Sequence, residues 1–292
     1  MDPQPEASPL DSLPTFSEAD IRLVCADMDG TLLDPDGNIP EDLWDLMRGM
    51  RHRGITFVPA SGRQYWTLLD MFTDIADGLT VIAENGALVM RDGVEVSSTP
   101  LEHSVVRSCI LGTRDQVAWG HDCGVVLCGK RAAYIERGDE RFARRALRFY
   151  HRTERIRDGI DLMDRIGRGD LDDEIVKLAL FDFEDASVPG DATLGRFATD
   201  HQYVVSGGNW VDLMSRGVDK GQAVRALQRD MGIGEDQTVV FGDFPNDLGM
   251  VRAAGESYAM ANGHPQVIAA ANHVAPPNSE GGVIQVLRAL MG

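Results

Sequence analysis

The stretch Ala26-Asp27-Met28-Asp29-Gly30-Thr31-Leu32-Leu33 decides how this chain is read. It continues an apolar run, Ile21-Arg22-Leu23-Val24-Cys25-Ala26, with the character of a buried strand. Two carboxylates two residues apart leave a strand on the same side, and Gly30 lets the chain turn sharply behind them. Such a pair can share one hard cation while a free oxygen of the first attacks an electrophile. The same letters also suit an acidic strand-to-loop junction that caps a helix. The rest of the chain decides between the two.

Working outward, residues 21–88 alternate short apolar runs with amphipathic segments. Strands are expected at Ile21–Ala26, Ile55–Ala60 and Leu79–Ala83, and helices at Pro40–Arg53 and Arg63–Ile75. Leu43, Leu46, Met47 and Met50 fall on one face of the first helix, and Gly54 ends it. Apolar strands alternating with helices imply a parallel sheet covered on both faces. The rhythm changes over 89–214. A hairpin signal at Asp92-Gly93 is followed by alternating runs at Val125–Leu127 and Ala132–Ile135 and by a long Arg-rich helix from Asp139 to Arg157. Val176–Phe183, a Pro189-Gly190-Asp191 turn, Gln202–Ser206 and Trp210–Met214 complete that region. After Gly217 the first rhythm returns and runs to the end. The expected fold class is α/β, a doubly wound (Rossmann-like) parallel-sheet core over 21–88 and 215–292 with an inserted α+β cap domain over 89–214. Residues 1–20, acidic and containing Pro and Ser, read as a disordered leader and not as a signal peptide.

The bulk numbers narrow the function. Across 292 residues, 28 Lys and Arg face 46 Asp and Glu, for a net charge of −18. That field opposes sequence-independent nucleic-acid binding and anionic membrane surfaces, and no apolar run reaches spanning length. An anionic small molecule stays admissible if a metal and local cations reverse the field at its site. Cys25, Cys109, Cys123 and Cys128 have no zinc-like spacing. Cys25 lies in an expected strand, where a free buried thiol is the expectation, and with it a reducing, cytoplasmic setting. The sequence assigns no oligomeric state.

Three further motifs bear on the chemistry. Ala60-Ser61-Gly62-Arg63 follows a strand and opens a helix, where a hydroxyl, a glycine amide and a helix N-terminus make an anion site; a simple Ser N-cap is the plain alternative. Gly217-Val218-Asp219-Lys220-Gly221 starts another helix, with a lysine that could equally be solvated. Phe241-Gly242-Asp243-Phe244-Pro245-Asn246-Asp247 follows the strand Thr238–Phe241. Three of the four motifs sit at carboxyl ends of expected parallel strands, where ligands bind in open α/β sheets. Asp27, Asp29, Asp243 and Asp247 would then gather at one crevice. Each like-charged pair about 4 Å apart costs roughly 4 kcal/mol at an effective dielectric near 20; a divalent, oxygen-loving cation, or protonation of one carboxyl group, removes that cost, and a metal is the expectation. Magnesium suits a site with few carboxylates and room for water and a phosphate oxygen.

These motifs, in this order, resemble the haloacid dehalogenase-like superfamily, and within it the Cof-type phosphatase branch with an α/β cap. Asn85-Gly86-Ala87, Ala259-Met260-Ala261-Asn262-Gly263 and Glu280-Gly281-Gly282-Val283 are similar to the same branch, while Phe244-Pro245 replaces residues that are usually small or polar there. The resemblance implies Asp27 as nucleophile and Asp29 as acid/base. It implies Mg²⁺ held by Asp27, the Asp29 backbone carbonyl and Asp243, with Asp247 in support. Catalytic roles extend to Ser61 and Lys220; Ser61, Gly62, Arg63, Asn85, Lys220 and Asn246 would bind the phosphorylated substrate. The implied activity is hydrolysis of small phosphate esters, such as sugar or cofactor phosphates, through an aspartyl-phosphate. A phosphomutase and a non-catalytic binding protein on the same fold are the rivals. The arginines at 141, 144, 145, 148, 152, 155 and 157 read as a solvated helix face, or else as a surface attracting phosphorylated substrates. Trp119 and Trp210 read as core or pocket, Cys123 and Cys128 as two buried strand thiols; His151, His201 and His264 show no ligand spacing.

Overall fold

The computed structural model describes residues 15–16, 20–73, 78–205 and 208–292. In chain order its strands are β1 (Leu23–Asp27), β2 (Thr56–Ala60), β3 (Thr80–Ala83), β4 (Leu88–Arg91), β5 (Val94–Ser98), β6 (Cys123–Gly129), β7 (Ala133–Ile135), β8 (Thr153–Arg155), β9 (Ile175–Asp182), β10 (Gln202–Val205), β11 (Trp210–Met214), β12 (Thr238–Gly242), β13 (Glu256–Met260) and β14 (His273–Ala275). The helices are α1 (Asp42–His52), α2 (Tyr65–Met71), α3 (His103–Ala118), α4 (Glu140–Ala146), α5 (Gly159–Arg168), α6 (Ser187–Thr193), α7 (Lys220–Met231), α8 (Leu248–Val251), α9 (Pro265–Ile268) and α10 (Gly282–Met291). The chain divides into two compact units, one within residues 1–62, 71–97 and 219–292, the other within 63–70 and 98–218.

The first unit is a sheet in the order β14-β13-β12-β1-β2-β3-β4-β5, parallel from β14 to β3. β1 is apolar and buried throughout because it lies at the centre, paired on both sides: Cys25 is opposite Val240 and opposite Val58. Leu23, Cys25, Val58, Ile82 and Val240 form one core with Val224 and Leu227 of α7 and Met250 and Val251 of α8. α1 buries the expected Leu43, Leu46, Met47 and Met50, and Gly54, at φ +73°, ends it. From β1 the chain steps outward through β2 and β3 and later through β12 to β14 on the other side. That reversal is the switch point at which open α/β sheets bind ligands.

The hairpin β4–β5, assigned above to the inserted domain, belongs instead to this sheet. β4 pairs antiparallel with β3, Ala83 opposite Leu88, and Asp92 and Gly93 take the positive φ of a tight hairpin turn. Most of the expected leader lies outside the described residues. Phe16 within it is buried, and its amide donates to the Leu290 carbonyl at 2.7 Å.

The second unit is a sheet in the order β10-β11-β9-β6-β7-β8, antiparallel except for the β7–β8 pair. Leu178, Leu180 and Leu213 on one face pack with Val106, Cys109 and Ile110 of α3 and Leu162 and Ile166 of α5. Cys128, Ala179 and Phe181 on the other pack with Phe142, Ala146 and Tyr150. Residues 63–70 group here. Gln64 exchanges two hydrogen bonds with the Arg152 backbone, at 2.9 and 3.1 Å, and Thr67 donates to the Phe149 carbonyl at 2.9 Å.

Two expectations in this unit are corrected. The Arg-rich helix does not run to Arg157: Asp139 caps α4, which ends at Ala146, and Thr153–Arg155 becomes β8, paired with Ala133–Ile135. Its arginines are exposed, as expected, but they do not share one helix face. Arg141 pairs with Asp122, Arg144 with Glu140, and the Arg152 guanidinium lies 4.3 Å over the Trp66 ring. Pro189-Gly190-Asp191 is no turn but part of α6, where a proline in the first helical turn removes no needed donor. Trp119, at the end of α3, is exposed, while Trp210 packs beside Phe181 with ring centres 5.0 Å apart. Cys123 and Cys128 are free, buried thiols of β6.

Candidate active site

Register decides which side chains meet. Ala26 is opposite Phe241 and Asp27 opposite Ala60. The chain therefore leaves β1 at Asp27, β12 at Gly242 before Asp243, and β2 at Ala60 before Ser61, all at neighbouring carboxyl ends. Lys220 enters as the first residue of α7, whose start is fixed by Asp219: its Oδ1 accepts from the Gln222 amide at 2.9 Å. Gly221 and Gly249 let α7 and α8 approach, since a β-carbon on Gly221 would fall 2.2 Å from the Gly249 carbonyl oxygen.

Asp27, Asp243 and Asp247 bring carboxylate oxygens within 4.8 Å of one another. Lys220 is fully buried beside them and donates from Nζ to Asp27 Oδ1 and, at 2.7 Å, to Asp247 Oδ1. Asp247 Oδ2 accepts the amides of Asp243 and Phe244 at 3.0 and 3.1 Å. Both its oxygens are thus engaged, so Asp247 shapes the loop that carries Asp243. Asp243 Oδ1 accepts from Thr31 Oγ1 at 2.8 Å. Phe244 is exposed and Pro245 opens a single tight turn closed by the Asp247 amide on the Phe244 carbonyl at 2.8 Å; the unusual dipeptide displaces no carboxylate.

One ammonium does not balance this cluster. Burial and then the Asp247 charge push the Asp27 carboxyl well above the usual carboxylate range, against the pull of Lys220. Burial likewise raises Asp243 despite the Thr31 hydroxyl. Burial works against the Lys220 charge, but the carboxylates of Asp247 and Asp27 outweigh it and hold the ammonium above the ordinary lysine range. An all-oxygen donor set of three carboxylates facing one ammonium fits a hard divalent ion. Gly30 lies hard against the Asp243 carboxylate: at φ +86°, its β-carbon would fall 2.5 Å from Asp243 Oδ2.

The other expected residues are placed as follows. Asp29 lies on the exposed crest of the Met28–Leu32 turn, its side chain outside the three-carboxylate cluster. Ser61 is buried, its amide bonded to the Ile82 carbonyl. Asn85 stands against Gly62, with Oδ1 3.0 Å from where a Gly62 β-carbon would lie, and accepts there from Asn246 Nδ2 at 3.3 Å. Glu84, Asn85 and Gly86 all take positive φ, and Gly86 has no alternative, because a β-carbon would meet the Asp219 carbonyl oxygen at 2.5 Å. Arg63 is half-buried and groups with the second unit.

Three contributors had no assigned role in the sequence reading: Thr31, Asn262 and Asn278. Asn262 Nδ2 donates to the Gly30 carbonyl at 2.8 Å, and Asn278 Nδ2 to the Leu33 carbonyl at 2.9 Å. Thr31 and Asn262 lay within motifs already singled out; what their letters could not say was which distant group each would reach.

Comparison with known proteins adds an independent line. A model of haloacid dehalogenase-like hydrolases matches residues 24–287. The 5-amino-6-(5-phospho-D-ribitylamino)uracil phosphatase YbjI of Escherichia coli (strain K12) is 34% identical over 273 residues, covering 91% of this chain and 95% of that protein. The HMP-PP phosphatase of Cronobacter sakazakii is 25% identical over 258 residues, covering 87% and 89%. The crystal structure of TM0651 from Thermotoga maritima matches with a TM-score of 0.74 at 25% identity, covering 92% of this chain and 97% of that one.

Proposed function

Because this chain belongs to the haloacid dehalogenase-like hydrolase family, we propose that it is a magnesium-dependent phosphatase of small phosphorylated metabolites, working through an aspartyl-phosphate. Membership makes it a phosphoric monoester hydrolase, and a divalent metal is typical of such enzymes. The observation that carries the proposal is the convergence of Asp27, Asp243 and Asp247 within 4.8 Å around one buried lysine.

In this reading Asp27 attacks phosphorus, the ester P–O bond breaks, and the leaving alkoxide takes a proton from Asp29. A water then gives its proton to Asp29 and attacks the aspartyl-phosphate, releasing inorganic phosphate and restoring Asp27. Asp27, Asp243 and the Asp29 carbonyl would hold a divalent cation, which would supply charge compensation for the carboxylates and the phosphoryl oxygens. Asp247 and Lys220 keep Asp27 and Asp243 in place. Ser61, Gly62, Asn85 and Asn246 orient the phosphoryl group, Arg63 joins them from its own segment, and Lys220 adds its charge.

The substrate proposed first is a phosphorylated ribitylamino-pyrimidine, the compound in the name of the E. coli relative, followed by other cofactor and sugar phosphates. The second unit, with its boundaries near 98 and 218, is the proposed cap that selects among them. A cytoplasmic setting belongs to the same proposal, supported by four free, buried cysteines. No helix among the described residues is long and apolar enough to cross a membrane.

The test is phosphate release from a panel of phosphorylated metabolites by the wild type and by Asp27→Asn. Turnover by the wild type without a bisphosphate activator, abolished in the variant and in EDTA, is the expected result. Surviving turnover in Asp27→Asn overturns the nucleophile assignment.

A further inference from the structure

The turn that carries Asp29 is held by hydrogen bonds from several sides. Asp29 and Gly30 leave helical geometry, at φ −79°, ψ 116° and φ 86°, ψ −7°. The turn is closed on itself by the Leu33 amide on the Met28 carbonyl at 2.9 Å. Thr31 ties it inward to Asp243. On its outer side two asparagines take its carbonyls: Asn262 holds that of Gly30 and Asn278 that of Leu33. They are also joined to each other, the Asn278 amide donating to Asn262 Oδ1 at 3.0 Å.

Asn262 is itself anchored at both ends. The Ala261 amide donates to the Ala275 carbonyl at 2.9 Å, and Gly263 closes on the Met260 carbonyl at 2.8 Å. The next residue, His264, donates its amide to the Asp243 carbonyl at 2.7 Å. A β-carbon on Gly263 would lie 3.0 Å from that same Asp243 carbonyl oxygen, so the turn is pressed against the Asp243 backbone. One segment of four residues therefore grips the backbone of the carboxylate loop on one side and the peptide after Asp29 on the other. Asn262 is exposed, yet its amide group spends both its donor and its acceptor on protein backbone.

We propose that Asn262, braced by Asn278, is a positioning residue: it fixes the Gly30 peptide relative to Asp243 and so sets the reach of Asp29 toward the leaving oxygen. The proposal rests on the acid/base role given to Asp29 above. Displacements on the order of 1 Å at a reacting group lower rates by about 100-fold, and loss of such a hold acts on kcat more than on KM.

Asn262→Ala removes both bonds. Asn262→Asp keeps the acceptor for Asn278 but sets a carboxylate oxygen against the Gly30 carbonyl, so it breaks the grip on the catalytic turn alone. Full-length variants, with magnesium, are assayed on p-nitrophenyl phosphate and on a simple alkyl phosphate, with melting temperature recorded in parallel. The expected result for both is a loss of roughly 10- to 100-fold in kcat on the alkyl phosphate, with KM changed less than about threefold. A smaller loss is expected on p-nitrophenyl phosphate, whose leaving group departs without a proton. Wild-type kcat in either folded variant, or an equal loss on both substrates, overturns the proposal. Asp29→Asn is the control: if it retains activity, the acid/base reading fails, whatever the Asn262 variants do.

Discussion

Gly30 and Asp243, 213 positions apart in the chain, stand so close that a β-carbon on the one would fall 2.5 Å from Oδ2 of the other. The contact sets two demands on a single residue, no side chain and a φ of +86°. Gly30→Ala must therefore either push the Asp243 carboxylate aside or shift the catalytic turn. A kcat loss of about 100-fold or more is expected, with a stability cost on the order of 1–3 kcal/mol for the backbone strain. Steady-state assays and thermal melts of the one variant measure both.

Lys220 is the buried counter-charge of Asp27 and Asp247. Lys220→Met keeps the apolar stem and leaves two buried carboxylates facing each other. Breaking a buried ion pair from one side costs about 3–5 kcal/mol, which lowers the melting temperature of a chain this size by on the order of 10 °C. Turnover should vanish, and saturating magnesium should recover part of the melting temperature but no activity.

The raised carboxyls of Asp27 and Asp243 give a definite sign to the pH dependence without metal. As pH climbs from the ordinary carboxylate range to their raised values, the unfolded chain loses these protons first and the folded chain retains them. The folded state then binds more protons, so stability falls through that window. Magnesium must displace the same protons, and its affinity should rise with pH across the same interval. Melts in EDTA against pH, and titration calorimetry in buffers of different ionisation enthalpy, test the two halves.

Asp173 offers a contrasting case in the second unit. It is buried and accepts from Tyr134 Oη at 2.6 Å and from the Glu174 amide at 2.8 Å, holding the turn after β6. Asp173→Ala leaves those donors without their acceptor, at a cost of roughly 1–3 kcal/mol. Turnover per folded molecule on p-nitrophenyl phosphate should stay within about twofold of the wild type, since the residue touches none of the proposed chemistry; chemical denaturation and active-site titration separate the two quantities.

What the sequence disclosed followed strand ends and helix faces. β1 was legible because an apolar run ends in acids, and α1 because four apolar residues repeat at helical spacing. α3 escaped notice: its buried face mixes Thr113 and Gln116 with Val105, Val106, Cys109 and Ile110, which dilutes the periodicity. The arginines after α4 carry helix propensity, yet Thr153–Arg155 completes a sheet edge, and tertiary pairing prevailed. At the site, motif spacing foretold which acids lie near the rim. It could not foretell Asn262 on Gly30 or Asn278 on Leu33, because hydrogen bonds across more than two hundred residues leave no local pattern.

Ala26 sits opposite Phe241 and Asp27 opposite Ala60, and this makes the sheet a length standard. Side chains alternate along a strand, so one residue gained or lost inside β1 or β12 swings the following acid to the opposite face. Descendants of this gene can lengthen at the exposed Pro35-Asp36-Gly37 bend or at the Asp92-Gly93 tip, where nothing is measured off. Between Thr238 and Asp243 the count of residues is as much a part of the enzyme as their identity.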